Sequence, residues 1–128
     1  MKYGLFAFCL LAFLAACKAP APFPLKKEWK LIELKNKPVP AQVNATLKFD
    51  PSQKRYSGKN SCNAYSGQYD MQGSSLKFGA AISTKMYCAD VADWEAAFMN
   101  MLPAVDNYVY RENRLRLFAG TKIIAIFE

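Results

Sequence analysis

Tyr108-Val109-Tyr110-Arg111-Glu112-Asn113-Arg114-Leu115-Arg116-Leu117 decides the fold class. Tyr108 and Tyr110 alternate with Val109 and Arg111, and Leu115 and Leu117 share a face with Arg114 and Arg116 opposite. A period of two on both sides of Glu112-Asn113 predicts a hairpin closed by that pair. Gly120-Thr121 then turns the chain into a last apolar strand, Ile123 to Phe127.

Immediately upstream the period changes. Val91, Trp94, Phe98, Met101 and Leu102 recur at helical spacing, which predicts one helix over about Val91 to Leu102. Asp90 is the expected N-cap, Asp93 and Glu95 suit the helix dipole in the first turn, and Pro103 stops the helix.

Further back the reading returns to strands. Glu28 to Leu34 is strand-like and Pro38 and Pro40 end it in a loop. Thr46 to Phe49 alternates, Asp50-Pro51-Ser52 is a turn, and Arg55 to Gly58 is the return strand. A polar loop, Lys59 to Asn63, precedes a strand from Tyr65 to Asp70; Gly73 marks a turn and Leu76 to Phe78 a short strand. Ile82 to Tyr87 fits an extended segment. Seven or eight short strands with one helix favour a mainly β (α+β) domain, an antiparallel sheet or barrel, over a parallel βαβ fold.

The first sixteen residues stand apart. Met1-Lys2 is a positive start, and Tyr3 to Ala16 is apolar without charge. Such a run is too short for a bilayer-spanning helix and fits the core of a signal peptide. Leu14-Ala15-Ala16-Cys17 resembles the bacterial lipobox, in which the cysteine is acylated and becomes the mature N-terminus; an ordinary signal peptide cut near Ala16 competes. The expected organisation is a signal peptide over 1–16, a lipidated Pro-rich spacer over 17–27 carrying Pro20, Pro22 and Pro24, and one domain over 28–128. Two or three acyl chains on Cys17 would hold the protein to a membrane. Lys18, where an inner-membrane retention signal would have Asp, favours the outer membrane of a bacterial envelope.

Of four cysteines, Cys9 leaves with the signal peptide and Cys17 carries the lipid, leaving Cys62 and Cys88. In an exported chain their default state is a disulfide. A metal or redox pair competes weakly, because closely spaced ligand pairs are absent. The chain has 17 Lys and Arg against 10 Asp and Glu, so it is basic, with net charge +7. The cations are scattered, as on a solvated surface. An exported protein meets lipid headgroups, acidic glycans or proteins, not nucleic acid.

Histidine is absent, so Ser-His and Cys-His nucleophile pairs are impossible. A carboxylate pair is the remaining acid–base option, but Asp90, Asp93 and Glu95 read as helix-start residues. The chain is therefore expected to be non-catalytic, with no cofactor and no metal. Asn60, Asn63 and Tyr65 are the candidate binding residues; beside Cys62 the asparagines can instead satisfy their own loop, and Tyr65, Tyr69, Tyr108 and Tyr110 can instead be core.

Several of these residues together resemble a known family. Trp29-Lys30-Leu31 opens the domain; Gly58 and then Ser61-Cys62-Asn63-Ala64-Tyr65-Ser66-Gly67-Gln68-Tyr69 follow, then Leu76-Lys77-Phe78, Thr84-Lys85-Met86-Tyr87-Cys88, the helix with Glu95 and Phe98, and Leu115-Arg116-Leu117. The set resembles the META domain, the family of heat-inducible HslJ-type lipoproteins. Ser61 stands where the family commonly has Gly, and Tyr87 where it more often has a small residue. The resemblance implies a small, strongly curved antiparallel sheet or lipocalin-like barrel with one helix packed on it, and a Cys62–Cys88 bond. It carries no catalytic residue and no ligand, only a loose link to heat or envelope stress. Three roles follow as expectations: a monomeric, membrane-anchored interaction module for an envelope protein or glycan; a chaperone-like structural lipoprotein; or an inhibitor of an exported hydrolase that presents a protruding loop, expected at Lys59 to Asn63.

Overall fold

A computed structural model describes residues 22–128. The expected signal peptide, residues 1–16, and Cys17 lie outside the described residues. Ten strands form in chain order: β1 (Trp29–Leu34), β2 (Lys37–Pro38), β3 (Thr46–Asp50), β4 (Arg55–Lys59), β5 (Ala64–Gln72), β6 (Ser75–Phe78), β7 (Ile82–Ser83), β8 (Asn107–Arg111), β9 (Arg114–Ala119) and β10 (Lys122–Phe127). One helix, α1 (Ala92–Met101), and a 3-10 turn, Leu102–Ala104, lie between β7 and β8. No helix among the described residues is long and apolar enough to cross a membrane.

All pairings are antiparallel, in the order β10-β9-β8-β6-β5-β4-β3-β1. β1 also pairs with β10, Leu31 opposite Phe127, so eight strands close into a barrel, with β2 and β7 as short additions. This is the mainly β fold with one helix that the strand spacing predicts. Closure leaves no long open edge of the kind that aggregates.

Four connections are two-residue hairpin loops: Lys35-Asn36, Gly73-Ser74, Glu112-Asn113 and Gly120-Thr121. Lys35, Asn36, Glu112 and Asn113 all take φ between 49° and 61°, which is the twist that two-residue hairpins demand. Pro38 therefore does not end β1 in a loop. The chain reverses at Lys35-Asn36, and Pro38 sits on a two-residue edge strand, where a missing N–H costs nothing in the ladder. Helix α1 also starts differently from expectation. Val91, not Asp90, precedes it, and no side chain caps its first turn.

Strand alternation fills the barrel. Trp29, Leu31, Leu47, Tyr56, Leu76, Leu115, Leu117 and Phe127 are at most 2 % exposed. Gly67 is small because the Tyr56 ring lies against it: a Cβ there would sit 2.6 Å from ring carbon. The phenols inside donate to backbone carbonyls, Tyr56 to Gly79 at 2.6 Å and Tyr65 to Thr46 at 2.5 Å.

The barrel has two distinct ends. At one, where β1 begins, Phe23 lies among Trp29, Phe49, Tyr108 and Tyr110, with ring centroids 5.3–5.8 Å away. The turns β3–β4, β5–β6 and β8–β9 belong to this end. At the other, where β1 finishes, Phe98 of α1 meets Tyr65 at 5.4 Å and Phe127 at 6.4 Å. Phe23, inside the stretch read as spacer, is thus part of the packed domain.

Burial raises the pKa of Tyr56, Tyr65 and Tyr69, the last also through the charge of Asp50. Their stabilising effect is complete below the unfolded tyrosine pKa of about 10 and is lost as pH rises past it. On the acid side, Asp50 is held low by the Ser52 hydroxyl and Gln53 N–H, and Asp106 by Gly120 N–H and the Asn107 amide. Both carboxyls are fully exposed turn caps, so acid costs little. We expect alkaline unfolding above about pH 10 to outweigh any loss near pH 3. Absorbance at 295 nm followed with far-UV dichroism checks this: the three buried phenolates should appear only together with unfolding.

Candidate functional site

The segment from β7 toward α1, Ile82 to Tyr87, forms an outward strap at the helix end of the barrel. Of the described residues, four large apolar side chains are strongly exposed, and three lie here: Ile82 at 76 %, Met86 at 65 % and Tyr87 at 82 %. The fourth, Val109, is on β8. Apolar side chains scattered singly need no explanation; three within six residues do.

The strap is exposed but its backbone is held. Cys88 is bonded to Cys62, with Cα atoms 5.9 Å apart. Asn63, 2 % exposed, uses its whole amide on the strap and helix. Its Oδ1 accepts from Met86 N–H at 2.7 Å and Thr84 Oγ1 at 2.9 Å. Its Nδ2 donates to the Met86 carbonyl at 3.0 Å and to Glu95 Oε1 at 2.9 Å. Two donors and two lone pairs are thereby satisfied. Thr84 adds a backbone bond to the Ala64 carbonyl at 3.1 Å and receives Ala64 N–H on its hydroxyl.

The three candidate binding residues are together in space but face inward. Asn60 is 1 % exposed; its Oδ1 accepts Asn63 N–H at 2.8 Å. Tyr65 is buried in the barrel. All three build the platform beneath the strap, with Ser61 accepting Asn44 N–H at 3.1 Å. The loop Lys59 to Asn63 is accordingly not the protruding one. Its two asparagines are drawn into the fold because Asn63 supplies a backbone-like pair of hydrogen bonds to Met86. Tyr69 is buried, and Tyr108 and Tyr110 are half-buried against Phe23, so these phenols are core.

Beside the strap runs a groove of about 460 Å³. Met86 and Cys88 form one wall, Glu95 and Asn63 the polar floor, and Ala92, Ala96 and Met99 the helix wall. The small residues on α1 leave room there for an incoming side chain. A smaller cleft of about 290 Å³ lies on the other flank of α1, between Trp94, Asp93 and Leu34, Lys35, Lys37. Sequence reasoning reached the platform but missed Ile82, Met86 and Tyr87. The adjacent pair Met86-Tyr87, directly before Cys88, breaks strand alternation and was the available signal.

The META domain model matches residues 23–128, from Phe23 to the C-terminus. This chain belongs to the META domain family. The matched start coincides with Phe23, the first packed aromatic residue among the described residues, so Phe23 is part of the META domain as well as packed on its core. Among solved structures, an NMR structure of a protein from Burkholderia xenovorans is similar to this META domain. It is 25 % identical, with a TM-score of 0.65 over 87 % of this chain and 92 % of that one. A second NMR structure, 20 % identical, shares the fold with a TM-score of 0.62 over 80 % and 88 % of the two chains. No curated protein matches the sequence.

The platform accounts for the most specific part of the motif. In this META domain Cys62-Asn63 and Cys88 are not separate features: one bond and one amide hold the same five residues. Replacing Asn63 by alanine should cost about 2–3 kcal/mol, since it leaves Met86 N–H, Met86 carbonyl and Glu95 without their partner. Urea denaturation monitored by dichroism measures it.

Proposed function

We propose that this protein is a non-catalytic interaction module of the bacterial envelope, tethered by lipid on Cys17, which binds a partner protein through the strap Ile82 to Tyr87. One observation carries the reading: three large apolar side chains stand in solvent on a backbone pinned by a disulfide and by the Asn63 amide. An exposed apolar segment that could collapse would do so. One held out rigidly has its ordering cost removed before a partner arrives, which favours affinity. The groove beside α1 supplies a receptor for a partner side chain, and Met86 adapts to varied surfaces.

The polar groups support a binding role over chemistry. Asp50 and Asp106 serve as turn caps and Asn63 as a scaffold. The inhibitor reading shares the rigid projecting segment, now placed at the strap. It is one form of the same interaction.

A photo-crosslinking residue placed at Tyr87 in living cells tests the proposal, with the same residue at Gln53 on the opposite end of the barrel as control. Discrete high-mass adducts are expected from position 87, and none of the same mass from 53. Absence of any adduct specific to 87, with the protein folded and abundant, overturns the reading. Met86→Ser with Tyr87→Ser should abolish the interaction while changing stability by less than about 0.5 kcal/mol, since both side chains are exposed.

A further inference from the structure

The chain enters the barrel at the end opposite the strap. We propose that the Phe23 end of this domain lies against the membrane surface, its cations on anionic lipid headgroups, with the strap directed away from the bilayer. This rests on the tethered reading above and adds which face meets lipid and which meets the partner.

Three observations carry it. First, the tether is short. Phe23 is fixed among four aromatic rings, with Lys27 over Trp29 at 4.5 Å, and only six Cα steps (23 minus 17) separate it from Cys17. Even fully extended, six residues reach about 20 Å, so the Phe23 end stays within that distance of a lipid on Cys17. Second, antiparallel connectivity places the turns 51–54, 73–74 and 112–113 at the same end as Phe23, and the strap and α1 at the far end. Third, charge favours the contact. Lys26, Lys27, Lys54, Arg111 and Arg114 are exposed at this end and form no ion pair among the described residues. Its acids are largely engaged. Glu28 pairs with Lys48 at 2.6 Å, Glu112 lies 3.8 Å from Arg116, Asp50 caps its turn and Asp70 accepts from Gln72. The C-terminal Glu128 stays exposed there. The turn tips Ser52, Gln53, Ser74 and Asn113 are polar, so the contact is with headgroups and not an insertion.

The test couples the mature chain, disulfide intact, through Cys17 to a maleimide lipid in nanodiscs containing phosphatidylglycerol and a gadolinium-chelate lipid. Amide line broadening is then read residue by residue. We expect at least threefold stronger broadening at 52–54, 73–74 and 112–113 than at 83–87, with the contrast reduced in purely zwitterionic discs. Equal or stronger broadening at 83–87 overturns the orientation; an identical contrast in zwitterionic discs overturns the headgroup contact. Because the lipid is attached chemically, neither result depends on cellular acylation. The mass of the native N-terminal peptide reports that separately, and an unmodified Cys17 would remove the tether while leaving the measured geometry intact.

Discussion

Replacing Cys62 and Cys88 together by serine should lower the unfolding free energy by about 3–4 kcal/mol. The bond joins positions 26 apart, and in the chain-entropy picture closing such a loop removes about that much freedom from the unfolded chain. The effect has a second signature. Without the cross-link the unfolded ensemble expands, so the denaturant m-value should rise as the midpoint falls. The damage in the folded state should be local. Met86 and Thr84 retain their bonds to Asn63, and Thr84 its pair with Ala64, so the barrel signals persist while those of 86–89 broaden. A loss under about 1 kcal/mol in guanidinium titration, or spectral collapse throughout the barrel, would contradict this.

Phe98→Ala should be at least as severe, at about 3–5 kcal/mol. Phe98 is 1 % exposed and its ring bridges Tyr65 on β5 and Phe127 on β10, across the barrel mouth. Met101 and Leu102 follow it into the core. Truncation leaves a cavity lined by rings from two far sides of a closed sheet, which cannot collapse inward. Since Glu95 on α1 accepts from Asn63, loosening the helix also loosens the strap. Phe98→Leu, which keeps most of the volume, should cost less than half as much. Thermal and chemical unfolding of the two variants side by side measures the difference.

Much of the barrel was legible because its strands obey one rule. In β9 and β5 the inward residues Leu115, Leu117, Tyr65 and Tyr69 alternate with polar ones, and a closed sheet with a dry interior imposes that pattern. The helix was legible from Val91, Phe98 and Met101 for the same reason on another period. β2 was not. Two residues carry no period, and Pro38 argued against a strand when only the turn Lys35-Asn36 decides it. Asp90 looked like a cap because its type suits one, but the Cys62–Cys88 bond and the Val91 N–H bond to the Cys88 carbonyl set where the helix begins.

The candidate site was half legible for a different reason. Asn63 drew attention as a polar residue beside a cysteine, and it is important, but as a scaffold. Its four hydrogen bonds depend on where residues 84, 86 and 95 lie, and no local pattern contains that. Ile82 to Tyr87 read only as an extended segment, because nothing in their local pattern says which side chains face solvent. Ile82 is exposed on β7 where it pairs with Ser66, and the exposure of Met86 and Tyr87 follows from β7 ending after Ser83 and from the pinning of Met86 and Cys88, all long-range effects.

Backbone 15N relaxation of residues 83 to 87 in the free protein is the most direct test of a strap that is both exposed and rigid. Order parameters near 0.85, matching the barrel strands, are expected for Thr84 through Tyr87. Values below about 0.6 at Met86 and Tyr87 would describe a floppy loop, and a preorganised binding element could not be built on it.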